Sequence, residues 1–134
     1  MKIGLAVTKT KDIEDKQFVF TKIDNILESY FLSKNYGSGI SELYIGIICV
    51  APEFEQFFNE ETKPKYSGGI LEYRIKLNYN IFKEKDIKDA TTMLVKDILK
   101  SVTIIEGLKA KIKDFNIQLF ESDLEALFRD NGYI

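Results

Sequence analysis

The chain has 134 residues, 45% of them hydrophobic and 30% charged, and its net charge of -2 lacks the strong basic excess of nucleic-acid-binding proteins. It has no histidine, so the usual general base and the commonest metal ligand are both missing. Its one cysteine, Cys49, excludes an intrachain disulfide and a cysteine-ligated zinc site, and we expect neither a metal nor a cofactor.

The first predicted elements are a short strand and an amphipathic helix. Apolar residues alternate with small or polar ones over residues 3–8, which is typical of a strand with one buried face. The helix is expected over residues 12–33, and its apolar stripe includes Val19, Ile23 and Tyr30.

Two further strands are predicted on either side of a long connection. Residues 42–50 are almost continuously apolar, which is typical of a central strand covered on both faces. Residues 70–79 alternate apolar and polar side chains, as in a strand with one face on a core and one in water. The pattern does not decide whether the first strand pairs with the second or with the third.

The longest predicted element is a helix over residues 86–112. Its apolar residues recur at three- and four-residue steps, and at the usual rise per residue it is about 40 Å long. Asp86 is a suitable N-cap, whereas Gly107 costs roughly 1 kcal/mol relative to alanine in a helix interior. The residues expected to be buried between this helix and the strands are Leu94, Ile98, Val102, Ile105, Ile45, Ile47, Tyr73 and Ile75.

A last helix begins at Asn116 or, from a competing capping box, near Ser122. The order β-α-β-β-α-α predicts an α+β fold, with a small sheet of at least three strands covered by helices and the 86–112 helix packed across it. We expect residues 1–134 to form a single domain, because a chain of this length buries about two thirds of its unfolded surface.

The N-terminal sequence and the hydropathy bear on location. The first apolar run is too short for a signal peptide, and no segment approaches the roughly 20 apolar residues needed to span a bilayer. We therefore expect a cytoplasmic protein without membrane association.

No residue pattern predicts a catalytic or metal site. The Gly37-Ser38-Gly39 sequence lacks the lysine and the preceding strand of a phosphate-binding loop, so a plain turn is favoured. Cys49 stands in an apolar run, which favours a core residue over a nucleophile. The carboxylates alternate with lysines on helix faces and form no second cluster, so solvated faces are favoured there.

The connection between residues 52 and 66 is the most unusual stretch. Pro52 followed by acids favours a short helical turn with Phe54, Phe57 and Phe58 on one face. These rings are either a roof over the sheet or aromatic anchors of an acidic recognition surface. The predicted contributors to a partner-binding surface are Glu53, Glu55, Phe57, Phe58, Glu60, Glu61 and Tyr66.

Several landmarks follow one another along nearly the whole chain. A helix ends in Tyr36-Gly37-Ser38-Gly39-Ile40, an apolar strand runs to Val50, and an alternating strand runs into residues 77–83. A helix carrying residues 98–105 and a segment over residues 115–127 complete the order. In these features the chain resembles the immunity protein 44 family of bacterial polymorphic toxin systems. Asn78 departs from the family pattern, in which an acid is expected there.

The resemblance implies an α+β cytoplasmic antitoxin that binds a cognate toxin domain by protein–protein contact and blocks it. It transfers no catalytic motif, no nucleic-acid partner and no cofactor. The residues leave two other classes open, a structural or oligomeric adaptor and a small enzyme based on carboxylates and tyrosines. A toxin gene beside this one would favour the antitoxin, a large obligate homodimer the adaptor, and divalent-metal binding the enzyme.

Overall fold

The fold was obtained as a computed structural model, which describes residues 1–58 and 63–134. Two 3-10 helices, Lys11–Lys16 and Pro52–Phe58, accompany the strands and α-helices. The strands are β1 (Lys2–Lys9), β2 (Glu42–Cys49), β3 (Lys65–Ser67) and β4 (Ile70–Lys76). The α-helices are α1 (Gln17–Phe31), α2 (Tyr79–Glu84), α3 (Ile87–Lys100), α4 (Val102–Gly107) and α5 (Ile117–Asp130).

The described strands form one mixed sheet in the order β1-β2-β4-β3. The central strand β2 is parallel to both β1 and β4, so the first predicted strand pairs with the second and not with the third. The short β3 pairs with β4 in an antiparallel hairpin that the residue pattern did not predict. Gly68 and Gly69 form its turn with φ of 59° and 81°, a conformation that glycine adopts without strain.

The helices pack on one face of the sheet, and the α+β prediction is confirmed. Leu94 and Ile98 of α3 are completely buried there, in one cluster with Ile45 and Ile47 of β2. Val102, Ile105 and Tyr73 are buried as predicted. Ile75, which was predicted to be buried, is only partly buried.

Strand β2 is central in the sheet as predicted, but its second face is covered only in part: Ile48 is buried there. The side chains on its other face include Tyr44 and Gly46, which are partly exposed. A run of apolar residues shows that a strand could be covered on both sides, but only the packing of other elements decides whether it is.

The predicted 86–112 helix is broken at Ser101 and ends at Gly107. Ser101 is buried, and its hydroxyl donates to the Ile98 carbonyl at 2.6 Å, where it competes with the regular helical pattern. Ile112 lies beyond the end of the helix but is still buried. Its apolar side chain continues the helical spacing in the sequence, and the predicted helix was too long for this reason.

Two other boundaries differ from the sequence prediction. The third predicted strand ends at Lys76, and Asn78 then caps α2 by accepting the Ile81 N–H at 3.2 Å. The predicted first helix is divided into the 3-10 helix Lys11–Lys16, in which Ile13 has a non-helical backbone conformation, and α1. Asn116 caps α5 by accepting the Leu119 N–H at 3.0 Å, so the earlier of the two predicted starts is used.

Strand β1 lies at one edge of the sheet, where α1 covers part of it. The Leu5 N–H points out of the edge and donates to the Asp24 carboxylate of α1 at 2.8 Å. A backbone donor of the edge strand is thereby satisfied within the chain. Within the described residues, no helix is long and apolar enough to cross a membrane.

Candidate partner-binding site

The segment Pro52–Phe58, here called the aromatic–acidic segment, is a 3-10 helix that follows β2. Phe54 and Phe57 expose 45% and 67% of their surface, and Phe58 is partly buried. The roof interpretation is therefore wrong for Phe54 and Phe57. Glu53 and Glu55 are exposed as well, so the segment presents acids and aromatic rings together.

The segment lies at the carboxyl ends of the parallel strands β2 and β4, the edge at which sheets with parallel strands commonly bind ligands. The Phe54 N–H donates to the Ala51 carbonyl at 2.9 Å and starts the turn directly after the strand. Pro52 and Glu55 share a surface groove of about 400 Å³ with Lys76 and Tyr79. The aromatic–acidic segment thus borders the end of β4.

The structure brings together only part of the predicted site. Glu53, Glu55, Phe57 and Phe58 lie in one short helix, whereas Glu60 and Glu61 lie outside the described residues. Tyr66 lies on β3, where its ring packs against the core and its hydroxyl donates to the Gly39 carbonyl at 2.5 Å. Tyr66 therefore lies apart from the exposed phenylalanines.

A polar cluster that the residue pattern did not predict lies at the carboxyl end of the sheet. Asp12 accepts hydrogen bonds from Thr10, at 2.7 Å, and from Tyr79. These bonds, that from Thr10 first, lower the pKa of Asp12 below its usual value. The Lys83 ammonium lies 3.6 Å from the same carboxylate. Because Asp12 and Tyr79 are far apart in sequence, no local pattern could have predicted the cluster.

This cluster joins elements of the fold that are distant in sequence. The buried Lys16 donates to the Lys83 carbonyl at 2.9 Å, so the first 3-10 helix is fastened to the end of α2.

Burial raises the pKa of Cys49 to about 12, which keeps it a thiol and not a nucleophilic thiolate. No group of three or more potential metal-ligating side chains occurs among the described residues.

The Gly37-Ser38-Gly39 turn has its donors occupied within the chain. The Ser38 N–H and hydroxyl both bind the Asp114 carboxylate, at 3.0 and 2.7 Å, and lower the pKa of Asp114. The Gly37 N–H donates to Asn35 at 2.8 Å, and the Gly39 N–H to the Asp114 carbonyl at 2.9 Å. This turn therefore has the structural role that the sequence favoured.

The chain is a small α+β protein whose sheet is followed by an exposed segment of aromatic and acidic side chains. The family model of immunity protein 44 matches residues 1–130, and the chain belongs to this family. Membership implies neutralisation of a cognate toxin, and immunity proteins are typically inhibitors without enzymatic activity. No significant match was found among curated proteins or among solved structures.

Proposed function

We propose that this protein neutralises its cognate toxin domain by direct protein–protein contact in the cytoplasm, as a single domain of residues 1–134. The observation that carries the proposal is the exposure of Phe57, 67% of whose surface is accessible, in a member of an immunity protein family. The contact residues in this proposal are Glu53, Glu55, Phe57 and Phe58, with Glu60, Glu61 and Tyr66 as further contributors.

The two residue types of the segment serve different steps of binding. Exposed phenylalanines are unfavourable in water, and aromatic side chains supply much of the binding free energy when an interface desolvates them. Glu53 and Glu55 would accelerate encounter with a basic region of the toxin and fix its orientation more than they add affinity. The segment therefore favours a toxin surface that has an apolar pocket beside basic side chains.

The test uses the toxin domain encoded by the gene beside this one, expressed with and without the antitoxin. Growth of the host reports protection, and the association and dissociation rates of the purified proteins report contact. We expect Phe57→Ala to speed dissociation by roughly tenfold or more. Phe18→Ala is the matched control, because Phe18 on α1 is 63% exposed and lies outside the segment.

The acids are tested by charge reversal. Glu53→Lys with Glu55→Lys, and separately Glu60→Lys with Glu61→Lys, should slow association and change its salt dependence. Glu28→Lys with Glu106→Lys changes the net charge equally at exposed helical positions and is the control. If Glu53, Glu55, Glu60 and Glu61 can all be changed to alanine without loss of protection, the contact surface lies elsewhere. A wild-type protein that neither binds nor protects would contradict the proposed function.

A further inference from the structure

The aromatic–acidic segment is too small to hold a toxin domain by itself. Stable interfaces between proteins bury about 800 Å² on each partner and use roughly 20–30 residues a side. The segment has seven residues, and even the whole 52–66 connection falls short of that number. A toxin that binds Phe54 and Phe57 must therefore also cover a surface beside them.

Helix α2 lies directly beside the segment and presents an exposed apolar residue. Its N-cap Asn78 and its residue Asn80 line the groove that Glu55 of the segment also lines. Phe82 of α2 is completely buried, whereas Ile81 is 50% exposed. A surface that continues from the segment over α2 therefore reaches Ile81 directly after Asn80.

Ile81 borders a second groove of about 470 Å³, here called the α2–α3 groove. The α3 residues that line it recur at three- and four-residue steps: Asp89, Thr92, Met93, Lys96, Asp97 and Lys100. This spacing places them in one stripe that runs roughly 16 Å along the helix. A single exposed isoleucine is ordinary on a protein surface, but Ile81 lies in a long groove that adjoins the proposed contact segment.

Apolar contacts are available in the middle of the α2–α3 groove. Met93 is partly buried and packs against the core, and Ile81 lines the groove with it. The Thr92 hydroxyl donates to the Lys88 carbonyl at 3.2 Å, so its proton is used within the helix. A methionine side chain is flexible and adapts to an incoming apolar group. The groove therefore suits an apolar side chain of a partner.

The charges around the α2–α3 groove nearly cancel. Its lysines are Lys85, Lys96 and Lys100, and its acids are Asp89 and Asp97. Burial raises the pKa of Asp97, and the nearby Lys100 acts against that rise. Because neither sign of charge prevails, apolar contact decides what this groove binds. In this respect it differs from the aromatic–acidic segment.

We propose that the toxin contact extends from the aromatic–acidic segment over α2 into the α2–α3 groove, where Ile81 is a second anchor for an apolar side chain of the toxin. This inference rests on the proposed function and adds a surface to it. The two parts of the contact act at different steps. The acids of the segment steer association, whereas the Ile81 contact forms after encounter and slows dissociation.

Ile81→Ala tests the anchor. We expect the toxin complex to dissociate about tenfold faster, with the association rate and its salt dependence unchanged. Leu119→Ala is the matched control, because Leu119 is 47% exposed and lines neither groove. Leu119 follows the Asn116 cap of α5 as Ile81 follows the Asn78 cap of α2, and each cap side chain accepts the N–H of that residue. Leu119→Ala should dissociate at the wild-type rate.

Thr92→Lys tests the groove in a second way, by placing a long cation in its middle. We expect it to weaken toxin binding by at least about tenfold. Thr21→Lys is the matched control on α1, because the Thr21 hydroxyl donates to the Gln17 carbonyl at 3.2 Å, in the same helical geometry as Thr92. It should leave binding unchanged. Urea unfolding of the four variants shows that each is folded.

The outcomes separate this inference from the proposed function. Wild-type binding by Ile81→Ala and Thr92→Lys, with faster dissociation of Phe57→Ala, overturns the inference and leaves the proposed function intact. Equal losses in the two control variants also overturn it. Faster dissociation of Ile81→Ala with no effect of Phe57→Ala would overturn the extension from the segment. A wild-type protein that neither binds nor protects against the toxin overturns both proposals.

Discussion

The hydroxyl groups of Tyr73 and Ser101 lie 2.9 Å apart in the core and join strand β4 to the break between α3 and α4. Ser101 also donates to the Ile98 carbonyl at 2.6 Å. A hydroxyl has one proton, so Tyr73 donates to Ser101 while Ser101 donates to the helix. Tyr73 therefore depends on Ser101 for a partner, whereas Ser101 keeps its acceptor without Tyr73.

This asymmetry predicts unequal effects of two small substitutions. Ser101→Ala leaves the buried Tyr73 hydroxyl without its partner and should lower the free energy of unfolding by about 1–3 kcal/mol. Tyr73→Phe removes one hydrogen bond and should cost only about 0.5–1.5 kcal/mol. The double variant should cost less than the sum of the two. Urea unfolding measures all three, and equal, additive costs would contradict the arrangement.

The same tyrosine predicts a loss of stability in alkali. Burial raises the pKa of Tyr73 from 10.0 to about 12, so the unfolded chain releases this proton at a lower pH than the folded chain. The stabilising effect is complete below pH 10 and is lost as the pH rises from about 10 to about 12. Burial raises the pKa of Tyr36 as well, which acts in the same direction. Unfolding free energies measured across this range should fall more steeply for the wild type than for Tyr73→Phe.

Two glycines should respond oppositely to alanine. A Cβ atom on Gly39 would lie 2.0 Å from the Lys113 carbonyl oxygen, so Gly39→Ala forces the backbone apart and should cost more than about 3 kcal/mol. A Cβ atom on Gly107 meets no described atom within 4 Å, and Gly107→Ala at the end of α4 should stabilise by up to about 1 kcal/mol. Thermal unfolding of the two variants checks both signs.

Cys49 should be inert in the folded protein. Its thiol is completely buried, and the burial raises its pKa to about 12. We expect almost no reaction with a disulfide reagent at mildly alkaline pH, and rapid reaction of one thiol per chain once urea has unfolded the protein. Rapid labelling of the native protein would show that this part of the core opens readily.

Stability and partner binding should depend on different apolar residues. Leu94 is completely buried, so Leu94→Ala should cost about 2–5 kcal/mol, and Ile98→Ala should behave in the same way. Phe57 is 67% exposed, and Phe57→Ala should change the free energy of unfolding by no more than about 0.5 kcal/mol. Urea unfolding of Phe57→Ala measured beside its toxin affinity separates the two roles.

Helices and strands whose apolar residues recur at regular intervals could be predicted from the sequence. The stripe through Leu94 and Ile98 placed the main helix, and the alternation through Leu71 and Tyr73 placed β4. Strand β3 was missed because three residues are too few to establish an alternation. The break at Ser101 was missed because its partner Tyr73 lies 28 residues away and becomes a neighbour only on folding.

The surfaces were less predictable than the core. The composition of the aromatic–acidic segment indicated a recognition surface, but the same phenylalanines would fit a roof over the sheet. Their exposure depends on the direction that the backbone takes after Ala51. The spacing of apolar residues does not determine this direction. The partial exposure of the second face of β2 was not predicted for a related reason. The apolar sequence around Gly46 indicates which side chains tolerate burial, whereas the packing of the described α-helices on the opposite face leaves Gly46 partly exposed.

The hydrogen bond between the Leu5 N–H and Asp24 has a consequence for how copies of this protein meet one another. An incoming strand that extended the sheet at β1 would first have to displace the Asp24 carboxylate from that backbone donor. At the opposite edge, the part of β3 that the structure describes offers three residues for pairing. Extending the sheet from chain to chain, the usual beginning of strand-mediated aggregation, is therefore discouraged at both rims. Crowded copies of the antitoxin can therefore remain separate molecules although each has a sheet with two edges.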